Sequence, residues 1–177
     1  MHDDIILEEE AIADERAADA ARVGAAILHQ PIRELATLRP AICMAPSTTV
    51  RSAIERMNQG GVGCVLVEDR HQLAGIFTER DVLTKVVGTS MDLDRVTVDA
   101  VMTPDPEAIS PDDRVSYALN KMSVGGFRHI PLVDDAGRPL GVLSMRNVVD
   151  YMVDLLRMEI LNLPPSPQHT AHAREGA

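Results

Sequence analysis

Residues 75–81 read GIFTERD and residues 141–147 read GVLSMRN, one segment written twice. Superposing Gly75 on Gly141 at an offset of 66 lays Thr78 on Ser144, Arg80 on Arg146 and Asp81 on Asn147. The likeness runs upstream at an offset of 65, with Pro46 on Pro111, Val50 on Val115, Ala53 on Ala118, Met57 on Met122, Gly60-Gly61 on Gly125-Gly126, Val65 on Ile130 and Asp69 on Asp134. One residue inserted in the second copy separates the two registers. Two copies cannot make a solenoid, whose units need about three neighbours to bury a continuous core. The pattern instead specifies a paired, pseudo-twofold module, and the cleft between its halves is the natural place for a ligand.

Each copy predicts the same elements. Val50, Ala53, Ile54 and Met57 fall at i, i+3, i+4 and i+7, one face of a helix that Gly60 is expected to end in a left-handed conformation; Val115, Ala118, Leu119 and Met122 repeat the pattern, closed by Gly125. The apolar runs Cys64 to Val67 and Leu73 to Phe77 flank a polar turn and predict a hairpin, with counterparts Ile130 to Val133 and Leu140 to Leu143. A second helix follows each hairpin: Asp81 to Val87 stopped by Gly88, and Asn147 to about Leu161 stopped by Leu163-Pro164-Pro165. The order per copy is strand, helix, strand, strand, helix, an α+β fold of two pseudo-symmetric repeats. The expected limits are 31–95 and 96–162 for the repeats, with Ile32 to Leu38 opening the first.

Residues 4–28 are rich in Ala, Glu and Arg and free of Pro, which predicts a helix ended by Pro31, within an acidic extension over 1–30. Its thin apolar stripe implies docking on the repeats, on a second subunit or on a partner. Residues 163–177, rich in Pro and without periodicity, read as a disordered tail, where His169 and His172 are too sparse to argue for a metal.

With 17 basic against 27 acidic residues the formal charge is −10, and eight acids against two arginines place −6 of it in the first 30 residues. That balance, together with 2% aromatics and no Trp, argues against nucleic acid as partner, because phosphate neutralisation and base stacking both lack their residues. The core must come from aliphatics and nine Met. Cys43 and Cys64 stand alone in apolar runs, as reduced thiols of a cytoplasmic protein would. No run approaches the ~20 apolar residues of a membrane span, and the acidic start lacks the basic region of a secretory signal.

The repeated junction carries the chemistry. Thr78 with Asp81 has the spacing of a helix N-cap with an acidic N3 residue, and capping alone explains Thr78 and Ser144. It does not explain Arg80 and Arg146, cations in a first helical turn where the dipole opposes them by a few tenths to about 1 kcal/mol. An anionic neighbour is therefore expected, a carboxylate or a phosphate met by helix N–H groups, hydroxyl and guanidinium together. Asp81, an acceptor-only carboxylate, suits the paired hydroxyls of a ribose. No nucleophile with its base, phosphate loop or metal cluster is present to support catalysis.

The doubled pattern, GIFTERD and GVLSMRN closing each copy with FRHIPLVDD ahead of the second, resembles a tandem pair of CBS domains, the regulatory Bateman module, over roughly Ile32 to Leu161. The resemblance implies a shared cleft with two related sites for adenosine-containing ligands: AMP, ADP or ATP, with NAD and S-adenosylmethionine also in the class. It implies that Thr78 and Ser144 contact phosphate, that Asp81 and Asn147 contact ribose, and that the base meets backbone and apolar surface near Ile42, Val65, Ile130 and Pro131. Asn147 replaces the usual acid, so the second site is expected to hold ribose less well. Arg128-His129 stands where the first copy has Gly63-Cys64, so only the second offers a basic pair.

The expected function is therefore ligand sensing without intrinsic catalysis, in a homodimer that pairs through the last helix (Val148, Tyr151, Met152, Leu155, Leu156, Met158), with an unidentified protein as regulated partner. The alternative is a structural adaptor with a degenerate nucleotide cleft, recognised through its acidic helix.

Overall fold

The computed structural model describes residues 24–25, 27–35 and 38–161, with side chains of Arg39 and of 155–161 left aside. Most of the predicted acidic helix and the predicted tail lie outside these residues, as do the side chains of Leu155, Leu156 and Met158.

Within them the repeats fold alike. In the first, β2 (Cys43–Met44) leads to helix α1 (Val50–Gly60), the hairpin β3 (Cys64–Asp69) and β4 (Gln72–Thr78), and helix α2, which runs as an α-turn over Glu79–Asp81 and a wider π-turn over Val82–Val86. In the second, helix α3 (Val115–Gly125) precedes the hairpin β6 (His129–Val133) and β7 (Pro139–Ser144) and helix α4 (Met145–Leu161). Both hairpins extend one or two residues beyond the apolar runs, because ladder bonds do not require apolar side chains. The first turns tightly on Arg70 and His71, both at positive φ, and the second uses Gly137 (φ +76°), with Asp134 Oδ1 accepting from the N–H groups of Ala136 and Arg138 at 2.9 Å.

Short strands β1 (Arg39–Pro40) and β5 (Thr103–Pro104) explain the twofold relation. β1 pairs antiparallel with β7 of the second repeat before β2 pairs parallel with β3 of its own. In mirror fashion β5 pairs antiparallel with β4 of the first repeat, and Ile109 then bridges in parallel to Leu132. Each repeat's entry segment is thus stitched first to the other repeat.

The cores follow the same exchange. Val50, Ala53, Met57, Val65, Val67 and Phe77 form the first core, which Val98 and Val101 complete from the start of the second repeat. Val115, Ala118, Met122, Ile130, Leu132, Leu143 and Val148 form the second, completed by Ile27, Ile32 and Leu35. The described start of the first repeat, Ile32–Leu35, begins with a 3-10 turn at Ile32–Glu34, and its Ile32 and Leu35 are buried in the core of the second. The physical reason is the backbone docking of Ile32 N–H on Asp113 O (2.9 Å), matched by Val98 N–H on Thr48 O (2.7 Å). Alternate residues of the first hairpin, Cys64, Leu66 and Ile76, face the opposite way and pack with Cys43 and Val142, so β3 is buried on both faces.

The helix ends differ from expectation by one residue. Gly61 (φ +59°) and Gly126 (φ +67°) take the left-handed conformation, not Gly60 and Gly125. Those two are needed for space: a Cβ on Gly60 would sit 2.6 Å from Ile42 Cδ1, and one on Gly125 would sit 2.2 Å from Phe127 Cε1.

Candidate functional site

At both strand-to-helix junctions the hydroxyl and the residue three further on hold each other. Thr78 N–H and Oγ1–H donate to Asp81 Oδ2 at 2.9 and 2.7 Å, while Asp81 N–H returns to Thr78 Oγ1 at 3.3 Å. Ser144 and Asn147 repeat this at 2.8, 2.5 and 3.2 Å. These are reciprocal caps, as the spacing predicts. The next donor of each turn is also used: Glu79 N–H meets Gly63 O at 3.0 Å and Met145 N–H meets Arg128 O at 2.9 Å. The expectation of a fully open set of helix N–H groups is corrected accordingly, and charge for an anion must come from side chains.

The second junction opens into a cleft of about 930 Å³ between the repeats. Its apolar wall is Pro40, Ala41, Ile42, Met57, Val62 and Val142. Ser144, Arg146 and Asn147 form the opposite edge, with Arg128 and His129 from the start of β6 beside them and Glu79 and Asp150 as the acids. Ile42 arrives because its segment crosses from β1 on the second sheet to β2 on the first. Arg128 is exposed, and Arg146, with its side chain 88% exposed, lies 3.6 Å from Asp150, too loose and wet a pair to neutralise it. His129 packs over Gly63, where a Cβ would come within 2.9 Å of its Cε1. Burial, against the pull of Glu79 and with the push of Arg128, holds its imidazole below the usual histidine range, so it is neutral in the unliganded cleft near pH 7. Cys64, on the floor, is pushed up to about 12 by burial and by Glu79, and is an inert thiol.

The first junction is arranged otherwise. Asp81 is buried at 6% exposure, and its Oδ1 is 2.7 Å from Lys85 Nζ and 3.4 Å from Thr103 Oγ1, the donor. Lys85 Nζ also donates to the carbonyls of Val101 (2.8 Å) and Met102 (3.1 Å). Arg80 turns away to cap the end of α3, donating from Nη1 to Gly126 O at 2.7 Å. Its expected anionic neighbour is thus the negative end of a helix dipole.

Of the residues singled out from sequence, Ile42, Arg128, His129, Ser144, Arg146 and Asn147 line the cleft, whereas Thr78, Arg80, Asp81 and Pro131 do not. Val65 and Ile130 are fully buried in the helix-facing cores, and Pro131 is buried within β6. Sequence reasoning missed Lys85, Glu79 and Asp150. Asp81 and Lys85 do stand at i, i+4, a spacing that signals a pair. Among the described residues no cluster of His, Cys, Asp or Glu is placed to hold a metal ion, and no helix is long and apolar enough to cross a membrane.

Comparison with known proteins agrees with this architecture. The family model of the CBS domain matches twice, over residues 32–88 and 98–154. A CBS domain protein from Pyrobaculum aerophilum, solved in complex with AMP, is 26% identical and superposes with a TM-score of 0.64 over 73% of this chain and 98% of its own. A putative signal-transduction protein with CBS domains from Burkholderia ambifaria is 26% identical, with a TM-score of 0.61 over 72% and 89%. Among curated relatives, the meiotically up-regulated gene 70 protein of Schizosaccharomyces pombe is 41% identical over 98 residues, 55% of this chain. The chain spans only 13% of that protein's length, but 76% of an uncharacterized 17.7 kDa protein from Acidianus ambivalens that is 28% identical over 129 residues. Two matched copies, a shared topology and reciprocal strand exchange together establish that this chain belongs to the CBS-domain family, as a tandem CBS pair.

Proposed function

We propose that this chain is a regulatory sensor, without catalysis of its own, that binds an adenosine-containing ligand in the cleft at the second junction. The observation that carries the reading is the composition of that cleft. An apolar wall around Ile42, Val62 and Val142 faces a polar edge bearing two exposed arginines, within the roughly 300–1,000 Å³ typical of small-ligand sites. A purine stacks on the first, and phosphate oxygens pair with Arg128 and Arg146. The Asn147 amide and the Ser144 hydroxyl, now bonded to each other, exchange partners with the sugar and phosphate. AMP in the Pyrobaculum relative supports the same class of ligand, with ADP, ATP, NAD and S-adenosylmethionine as the others to compare.

Binding regulates only if the ligand prefers one arrangement of the repeats, and a cleft walled by segments of both halves provides for that preference. The setting we propose is cytoplasmic and homodimeric. Leu83 (68% exposed) and Val87 (61%) on and just after α2, with Val149 and Val153 on α4, leave apolar surface for a second copy or a protein partner. Val148 and Tyr151, expected in that face, instead pack in the second core. Isothermal titration of the purified chain with AMP, ADP, ATP, NAD and S-adenosylmethionine tests the reading. Micromolar binding of at least one, lost in Arg128→Glu, is expected, and no heat from any would leave the adaptor reading in its place.

A further inference from the structure

The two junctions have the same caps, yet different side chains cover them. Four residues after Asp81 comes Lys85, and at the matching place after Asn147 comes Tyr151. Tyr151 swings away from its junction and donates its hydroxyl to Gln30 Oε1 on the N-terminal segment. Lys85 folds back over its own. Its ammonium reaches Asp81 Oδ1 at 2.7 Å and the carbonyls of Val101 and Met102 at 2.8 and 3.1 Å, three acceptors for three donors. Those carbonyls lie just ahead of β5 in the entry segment of the second repeat, and the counterpart of β5, β1, leads into the Pro40–Ile42 wall of the open cleft. Thr103 Oγ1 joins the same carboxylate oxygen at 3.4 Å, while Oδ2 is held by Thr78. Asp81 thus has partners on both oxygens from inside the chain. A second difference agrees: Ile42, the apolar ceiling of the open cleft, has Glu107 as its counterpart at the offset of 65, and Glu107 pairs with Lys121 at 2.7 Å.

We infer that Lys85 is an internal cation that keeps the first junction closed, so that one chain takes one nucleoside ligand, at the second junction. The ammonium ties the carboxylate suited to a ribose to the backbone of the facing segment, and a sugar could reach Asp81 only by displacing a fully bonded cation. The specificity lies in one side chain and its three acceptors. It also reverses the ranking expected from Asp81 against Asn147: the junction with the better ribose acceptor is the one that is shut.

This rests on the adenosine reading of the cleft, and titration of the 177-residue chain with AMP separates the two. The wild type should bind one AMP per chain. The variant Asp81→Asn/Lys85→Ala/Glu107→Ile gives the first junction the character of the second and leaves no unpaired buried carboxylate. Shown to be folded by circular dichroism, it should bind two. One AMP for both proteins, or two for the wild type, overturns the role of Lys85 while leaving the adenosine reading standing. No binding of AMP by either, with none of ADP, ATP, NAD or S-adenosylmethionine in its place, overturns both. Should the triple variant not fold, Lys85→Met, which keeps the stem and removes the charge, takes its place with the same outcomes.

Discussion

The first and second junctions of this chain share backbone, caps and register, and differ in what each acidic or amide side chain is asked to do. Asp81 is a structural acceptor, buried and gripped by Lys85 and Thr103, so it binds one repeat to the entry segment of the other. Asn147 sits at the edge of a cleft with Arg128, His129 and Arg146 around it. A buried carboxylate needs a cation, and a chain that supplies the cation internally has spent that carboxylate. The uncharged amide carries no such obligation. The comparison teaches that an internal repeat conserves geometry more readily than role.

The largest effect that probes this division concerns how strongly the halves are joined. Phe77, fully buried in the first core, matches Leu143, fully buried in the second. Phe77→Ala should cost about 3–5 kcal/mol and Leu143→Ala about 2–5 kcal/mol, read from urea unfolding. Because Val98 and Val101 complete the first core and Ile27, Ile32 and Leu35 the second, each variant should still unfold in a single transition. Two resolved transitions would show that the exchanged segments do not bind the repeats into one cooperative unit.

Next in size is the Lys85–Asp81 ion pair. Lys85→Ala leaves Asp81 buried without its cation, but the lysine side chain is 40% exposed, so water and the Thr78 donors recover part of the loss and about 1–2 kcal/mol is expected. Adding Asp81→Asn should return most of it, because the orphaned charge is then gone. Tyr151→Phe, at the matching position, loses one neutral hydrogen bond and should cost about 1 kcal/mol or less. Equal costs for Lys85→Ala and Tyr151→Phe, with no recovery in the double variant, would break the contrast between the junctions.

A smaller effect tests the basic pair that distinguishes the second half. Burial holds His129 neutral with its pKa below 6.5, so in the folded chain its neutral form contributes stability above that value and loses it as pH falls through the depressed pKa. A phosphate favours the imidazolium, opposing the burial and the nearby Arg128, so the liganded pKa is higher than the free one. AMP affinity should then rise roughly threefold or more from about pH 7.5 to pH 6, relative to His129→Gln, in which the phosphate's own titration is all that remains. Parallel pH profiles for the two proteins would place the phosphate away from His129.

Much of this was legible before any coordinates. The offset of 65 and 66 gave two copies, the i, i+3, i+4, i+7 stripes gave α1 and α3, and the Thr-x-x-Asp and Ser-x-x-Asn spacings gave the caps, because all three are local rules in which neighbours in sequence are neighbours in space. What stayed hidden is non-local. That Ile32 and Leu35 serve the second core depends on Ile32 docking at Asp113, 81 positions along the chain, and no periodicity encodes that. The Gly60 and Gly125 assignments missed by one residue because a glycine wanted for space looks like one wanted for positive φ. The surroundings of the first junction stayed hidden for a similar reason: Lys85 at i+4 is visible in sequence, but the Val101 and Met102 carbonyls that share its ammonium with Asp81 are not.

The smallest predicted effect concerns the arginine repeated at the two junctions. Arg80 donates at 2.7 Å to Gly126 O, at the negative end of α3, and so fastens the end of one repeat's helix to the start of the other's. Arg80→Ala should cost about 0.5–1 kcal/mol, the worth of an exposed bond to a helix terminus. Arg146 is 88% exposed and its 3.6 Å approach to Asp150 is worth little, so Arg146→Ala should stay within about 0.5 kcal/mol of the parent while weakening AMP. The two measurements cross: one arginine matters to stability and leaves binding alone, the other does the reverse. If Arg146→Ala leaves AMP titration unchanged, the phosphate lies elsewhere in the cleft, and Arg128 becomes the residue on which its placement turns.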